Sequence, residues 1–391
     1  MKQILKLIIA ATSISIFIYV FKLKWISSHL TPKQDVIVMG NTKQGVMGES
    51  PPPTYYRFNT TGDHRIPLMS IIQEVFDEHE FIASNNAENA DILFLDKFDD
   101  QHIFKIITNF KKHKDQSLHT LVSIDHIASK SMLHEIVAQN VSSSVLSDLF
   151  PKSFIIHNSF DVQKLRLYMK NNDKIIILKK NMQQQKGCKI IKSFDENIIQ
   201  NYVIAQELLQ NPFLINQHKI NIRVYILIKV DSNNILSVFM YNDGFIYYTP
   251  DIFKENSMGF ENNITSGLVD RTVYDTNPLT IADFRNHIGY KSSILFNTNL
   301  LRCFTTLFKA QQNHILKLES TFRMNKFAIM GADIAIDKDM GIKIMEINKG
   351  PDLRYKDDRD RALKYNMVRD AFVELGFIPP KDIVTNFIKI I

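Results

Sequence analysis

An α/β (mixed α+β) fold follows from three features of the sequence. Between Tyr55 and Ile127, helical and strand-like signals alternate. Ile220–Val230 is a long apolar strand that returns through Ser237–Tyr241 after the turn Asp231-Ser-Asn-Asn234. Phe327–Asn348 carries two alternating apolar runs around Asp337-Lys-Asp-Met-Gly341, which has turn chemistry and predicts a β-hairpin.

In chain order, Leu7–Phe21 is apolar and uncharged, with Lys2 and Lys6 before it and Lys22 and Lys24 after it. A membrane span needs about 20 residues, so this stretch spans only if the lysines snorkel. No small-residue cleavage site follows Phe21, and residues 1–28 are therefore expected to be an uncleaved transmembrane anchor. Residues 29–54 read as a linker ending in Pro51-Pro-Pro53. From 55 to 127 the periodicity predicts a helix over 69–76, a buried strand over 90–95, a helix over 103–113 and a strand over 118–124. That alternation implies a parallel sheet. Further strands are expected over 174–180 and 202–206, a long helix over 298–322, and a last helix over 362–375 stopped by Gly376. The boundaries drawn are 55–127 for an N-terminal α/β domain, 128–205 for a central domain and 206–391 for a C-terminal one.

Composition narrows the function. A 391-residue chain that is 45% hydrophobic has enough apolar material for sizeable cores. The formal charge of +6 is mild. Basic runs are not interleaved with aromatics and zinc-ligand spacing is lacking, so nucleic acid is not an expected partner. Two cysteines, Cys188 and Cys303, exclude a disulfide framework.

Centring the hairpin between Asp339 and Met340 sets Asp333 directly opposite Glu346, and strand alternation puts Glu346 and Asn348 on one face. Two carboxylates and an amide oxygen then converge. Like charges about 5 Å apart are unfavourable unless a cation lies between them. Oxygen-only ligands point to a hard cation, most simply Mg²⁺, which commonly accompanies phosphates. A surface hairpin with its acids in water gives the same pattern. On the long strand, Ile220, Ile222, Val224, Ile226 and Ile228 share one face, leaving Lys219, Asn221 and Arg223 on the other. Buried cations need an anionic counterpart, for which phosphate is a candidate; a solvated edge strand needs none. The lysine-rich loop of Lys179–Ile191 has the composition of a phosphate-covering loop, or of any exposed hairpin.

Together these parts resemble the tubulin-tyrosine-ligase-like family of ATP-grasp ligases, over roughly Tyr55–Phe372 and most specifically from Tyr202 onward. Tyr202-Val-Ile-Ala-Gln-Glu-Leu-Leu is similar to the family's hinge strand. Lys219-Ile-Asn-Ile-Arg223 is similar to its Lys-x-Asp-x-Arg strand. The resemblance implies an ATP-grasp fold behind a Rossmann-like N-terminal domain. By it, Gln206 and Leu208 lie beside adenine, Lys219 faces the nucleotide, and Arg223 serves the reacting phosphoryl and acyl groups. Asp333, Glu346 and Asn348 fall on the family's metal ligands. Lys180 and Lys186 match phosphate-binding lysines, with Lys179 as the alternative to Lys180. Lys130 resembles an earlier phosphate-contacting lysine, and Thr265 lies in a loop near the sugar. Four positions depart from the pattern: Asn221 stands for Asp, Lys189 for a loop glycine, Tyr247 for a carboxylate-binding Arg, and Ser266 for Asn.

The implied function is an ATP- and Mg²⁺-dependent ligase that adds an amino acid (Tyr, Glu or Gly) to a protein carboxylate through an acylphosphate. Tubulin or another acidic protein tail is the expected partner, free amino acid the second substrate, and the membrane a third contact through residues 7–21, with the catalytic body cytosolic. Two other readings stand beside it: a catalytically weak, membrane-tethered module that binds nucleotide or microtubules, and an ATP-grasp ligase acting on a small molecule.

Overall fold

Alternation of short strands and helices builds one edge of a mixed sheet, and long antiparallel strands build the other. In the computed structural model, residues 51–58, 70–95, 101–182, 187–265, 270–380 and 383–391 are described. The anchor expected at 1–28 and most of the linker lie outside them. Among the described residues no helix is long and apolar enough to cross a membrane.

Strands β1 (Thr54–Arg57), β2 (Ile82–Ala83), β3 (Ile92–Phe94) and β4 (Ser117–His119) pair in parallel, as the alternation predicts. Strands β5 (Ser153–Ile155), β6 (Ile176–Lys179), β7 (Cys188–Ile191) and β8 (Ile204–Glu207) form a separate antiparallel sheet in the order β5-β8-β6-β7. The remaining strands are β9 (Leu214–Ile215), β10 (His218–Val230), β11 (Leu236–Tyr248), β12 (Asn325–Ile336), β13 (Ile342–Asn348) and β14 (Phe387–Lys389). They continue the first sheet as β14-β11-β10-β12, and β12 pairs in parallel with β4. The cysteines are free.

Alternation sorts β10 as expected. Ile220, Ile222, Val224, Ile226 and Ile228 enter the largest core, where Phe296, Leu300, Phe304, Leu307 and Phe308 of the helix Ile281–Glu319 cover them. Tyr225 and Leu227 enter a second core on the opposite face, under the helices Ser70–Glu78 and Asp358–Glu374. The long helix begins earlier than the periodicity shows. Thr280 and Asp283 make a reciprocal capping box at its start, and Gly289, at φ +76°, interrupts it. That interruption breaks the 3.6-residue repeat, which hides the first segment from periodicity. The strand expected over 118–124 stops at His119, and a short helix, Ile124–Ala128, follows. Its turn is fixed by Ser123, whose backbone N–H and hydroxyl both donate to Glu319, at 2.8 and 2.7 Å.

Candidate active site

The hairpin β12–β13 brings Asp333 opposite Glu346, and Gly331 opposite Asn348. The register differs from a simple turn centred between Asp339 and Met340. Ile336 pairs with Ile342 and Ile334 with Ile344, so the turn centres on Asp339, and Met345 is left as an extra residue before the Asp333–Glu346 pair. The bulge decides the chemistry. Unbroken alternation would send Glu346 and Asn348 to the side of Ile342 and Ile344, into the core. One inserted residue reverses the parity, so that Ile347 joins that core and Glu346 and Asn348 face the cleft. The tight turn is held by Asp337, whose Oδ1 accepts from Asp339 N–H (2.9 Å) and Gly341 N–H (2.7 Å).

Arg223 on β10 lies opposite Asp333 and forks onto it, with Nε at 2.6 Å from Oδ1 and Nη2 at 3.0 Å from Oδ2. The anionic counterpart that the strand pattern calls for is thus a carboxylate of the chain itself. Gly331 leaves room for this fork: a Cβ there would sit 3.1 Å from Arg223 Cδ and 3.2 Å from Pro351 Cβ, a tight contact. Tyr247 places its ring 5.6 Å from the guanidinium carbon of Arg223. Burial disfavours the charged guanidinium, yet Asp333 outweighs it and holds the Arg223 pKa above its ordinary value. Burial raises the Asp333 carboxyl pKa, against the pull of Arg223.

Glu346 meets lysines instead. Lys130, the first residue of the helix Lys130–Asn140, puts Nζ 3.1 Å from Glu346 Oε2. Asn348 donates to Glu346 Oε1 at 3.1 Å. Burial pushes the Glu346 carboxyl up, but Lys130, Lys179 and the Asn348 amide together bring it down to about 2. Lys179 is buried, and its Nζ lies 3.4 Å from the Met345 carbonyl. Burial lowers its pKa, with Glu346 opposing.

Of the two candidate lysines at the end of β6, Lys179, its last residue, faces the cleft, and Lys180, just after it, does not. Ile176 and Leu178 pack into the far side of the small sheet, and Lys180 shares their parity, lying over the Tyr202 ring. Lys179 shares the parity of Ile175 and Ile177, which form an apolar floor with Leu208. Strand alternation only separates the two lysines onto opposite faces; packing against the hairpin decides which of them enters the cleft. Gln206 pairs with Ile177 on the same side; its amide nitrogen donates to Ser153 Oγ at 2.9 Å, and its Oε1 is buried without a hydrogen-bond partner. Lys219 is buried, with Nζ 3.4 Å from the Leu209 carbonyl. Burial, and Lys179 after it, lower its pKa from 10.5 to about 7. Asn221 Oδ1 is also buried and unpartnered. Thr265 is buried beside Ile264, which packs on the floor. Lys186 and Ser266 lie outside the described residues.

The donor set suits a hard divalent cation such as Mg²⁺: two carboxylates converge with an amide, which ligates once it presents its oxygen. Among the described residues no three His, Cys, Asp or Glu side chains form such a group, so a cation here needs Asn348 and oxygens from outside the chain. Lys130, Lys179, Lys219 and Arg223 outnumber the two carboxylates, as a polyphosphate site requires. The buried oxygens of Gln206 and Asn221, without a partner among the described residues, leave two acceptors on the cleft side open to a ligand's donors.

The model of the tubulin-tyrosine ligase family matches residues 108–385. The chain is 23% identical over 339 residues to mouse (Mus musculus) tubulin polyglutamylase TTLL7, covering 78% of this chain and 35% of the relative. It is 29% identical over 189 residues to rat (Rattus norvegicus) probable tubulin polyglutamylase TTLL9, covering 45% of this chain and 39% of the relative. It therefore spans less than two fifths of these curated relatives. Among solved structures, the C-terminal domain of K. lactis Pby1, described as an ATP-grasp enzyme interacting with the mRNA decapping enzyme Dcp2, superposes with a TM-score of 0.59 at 20% identity, covering 87% of this chain and 98% of that domain. The fold is that of an ATP-grasp enzyme.

Proposed function

Since this chain belongs to the tubulin-tyrosine ligase family, we propose that it is an ATP- and Mg²⁺-dependent ligase that joins an amino acid to a protein carboxylate, with the acidic tail of tubulin as acceptor. The observation that carries this is the pairing of an oxygen cluster, Asp333, Glu346 and Asn348, with four buried or half-buried cations beside an apolar floor that ends in Gln206. In the proposed reaction an acceptor carboxylate oxygen attacks the γ-phosphorus of ATP, and ADP leaves. The amine of the incoming amino acid then attacks the acylphosphate carbon, phosphate leaves with the C–O bond electrons, and an amide forms. Gln206 and Leu208 hold the base, Asn221 and Thr265 the sugar side, and Lys130, Lys179 and Lys219 the phosphates. Lys186, outside the described residues, is proposed to join them. Arg223, oriented by its fork onto Asp333, stabilises negative charge developing on the acyl oxygen. Asp333, Glu346 and Asn348 would hold Mg²⁺, which neutralises β- and γ-phosphate charge when bound.

The formal charge of +6 favours an acidic acceptor. The body is proposed to be cytosolic, tethered through residues 7–21. Within the sequon Asn263-Ile-Thr265, the Asn263 amide is buried and donates to the carbonyls of Ser257 (2.9 Å) and Gly259 (2.8 Å), which disfavours a glycan there. The test is mass spectrometry of tubulin after incubation with the full chain, ATP, Mg²⁺ and mixed amino acids, with Glu346→Gln as control. Mass added by wild type and not by the variant supports the ligase. Nucleotide binding without any added mass selects the binding-module reading.

A further inference from the structure

Both carboxylates of the oxygen cluster are already engaged by the chain's own cations. Arg223 takes both oxygens of Asp333, at 2.6 and 3.0 Å. Lys130 takes Glu346 Oε2 at 3.1 Å, and Asn348 turns its NH₂ group to Glu346 Oε1 at 3.1 Å and Asp333 Oδ2 at 3.5 Å. Each carboxylate oxygen that a divalent cation would use therefore faces an N–H donor. Lys130 is also fixed from elsewhere: its Nζ donates to the Met182 carbonyl at 3.3 Å, and its backbone N–H to Asn181 Oδ1 at 3.3 Å. The helix Ile124–Ala128 just before it is tied to the far end of the same ligand-bearing segment, because Asp125 pairs with Lys349 at 2.5 Å. One helical corner thus grips Glu346 and the residue after Asn348 together.

The charge balance points the same way. Among the described residues, Lys130 and Lys179 act on Glu346 and Arg223 on Asp333, with Lys219 near Lys179, in a sheltered cleft where Coulomb forces are weakly screened. A free divalent cation would enter a net-positive site and would have to displace two charge-assisted hydrogen-bonded partners. A polyphosphate reverses both conditions: its oxygens offer Lys130 and Arg223 other acceptors, and its charge of about −4 turns the local sign negative.

We propose that Lys130 and Arg223 form a nucleotide-operated lock on the metal ligands. Without nucleotide they occupy Glu346 and Asp333 and reject free divalent cations; polyphosphate draws them off and opens the ligand set to a cation that arrives with it. The lock rests on the nucleotide-binding reading above. It makes metal and nucleotide binding strongly and reciprocally coupled.

The test uses the full chain, Mn²⁺ as a spectroscopic probe read by electron paramagnetic resonance, and a non-hydrolysable ATP analogue read by calorimetry. Wild type should bind the analogue in the presence of a chelator, and should bind Mn²⁺ alone at least about tenfold more weakly than Lys130→Gln does. The same variant should bind the analogue about tenfold more weakly than wild type, so the two affinities move in opposite directions. Inorganic tripolyphosphate gives a second readout that needs no variant: added to wild type, it should raise the Mn²⁺ bound above the sum of the separate mixtures. Mn²⁺ binding to nucleotide-free wild type as tight as to Lys130→Gln, with no gain from tripolyphosphate, would overturn the lock while leaving the nucleotide site standing. Failure of wild type to bind the analogue at all would overturn the nucleotide reading, and the lock with it.

Discussion

Lys219 offers a proton-linked test of the nucleotide site. Its ammonium is buried, its nearest acceptor is the Leu209 carbonyl at 3.4 Å, and burial and then Lys179 bring its pKa to about 7. Phosphate oxygens beside it would favour the charged form and return the pKa toward the ordinary lysine value. At pH 8 a group with a pKa of about 7 is roughly one-tenth protonated, so nucleotide binding should take up about 0.9 proton, falling to about 0.5 at pH 7. The sign follows: binding and protonation reinforce each other, so affinity is highest below pH 7. It should weaken by up to about tenfold per pH unit above that. Calorimetry at pH 8 in buffers of different ionisation enthalpy measures the uptake, and the terminal phosphate of ATP is already ionised there. Lys219→Met should abolish the uptake.

The same residue links to stability. The folded-state pKa lies below the unfolded one, so charged Lys219 costs stability in full below pH 7 and progressively less as pH rises toward 10.5. The ceiling on that cost is about 5 kcal/mol. Lys219→Met should therefore raise the thermal midpoint of the nucleotide-free protein at pH 7 while weakening nucleotide binding. Heats at pH 8 that do not depend on the buffer, with an unchanged midpoint for the variant, would refute the assignment of a depressed, phosphate-facing Lys219.

Asp333→Asn should move stability the other way. It leaves the Arg223 guanidinium buried without its counter-charge, at a cost of about 3–5 kcal/mol by chemical denaturation. Glu319 and Lys326 form a fully buried pair at 3.3 Å, and Glu319 also accepts from Ser123. Glu319→Gln should cost a similar amount, and adding Lys326→Met should recover part of it; equal stability of the single and double variants would contradict a charge-based penalty.

Local periodicity was enough to place Lys219, Asn221 and Arg223 on one strand face and the five apolar residues of β10 on the other, because alternation is a property of the strand itself. It also carried the parallel N-terminal strands, the final helix and the existence of the β12–β13 hairpin, whose turn residues are adjacent in sequence. Resemblance to a family added the nucleotide reading. Three decisions belong to tertiary structure. The bulge at Met345 turns Glu346 and Asn348 out of the core; an extra residue costs little where Ile344 and Ile347 can both still bury, and only packing against the long helix decides that. Lys179 is chosen over Lys180 by which face of the small sheet meets the hairpin, a relation between two sheets that neither strand encodes. The partners of the carboxylates, Arg223 for Asp333 and Lys130 for Glu346, come from segments distant in the chain, and a charge names no partner until the fold has excluded water and brought the opposite charge within reach.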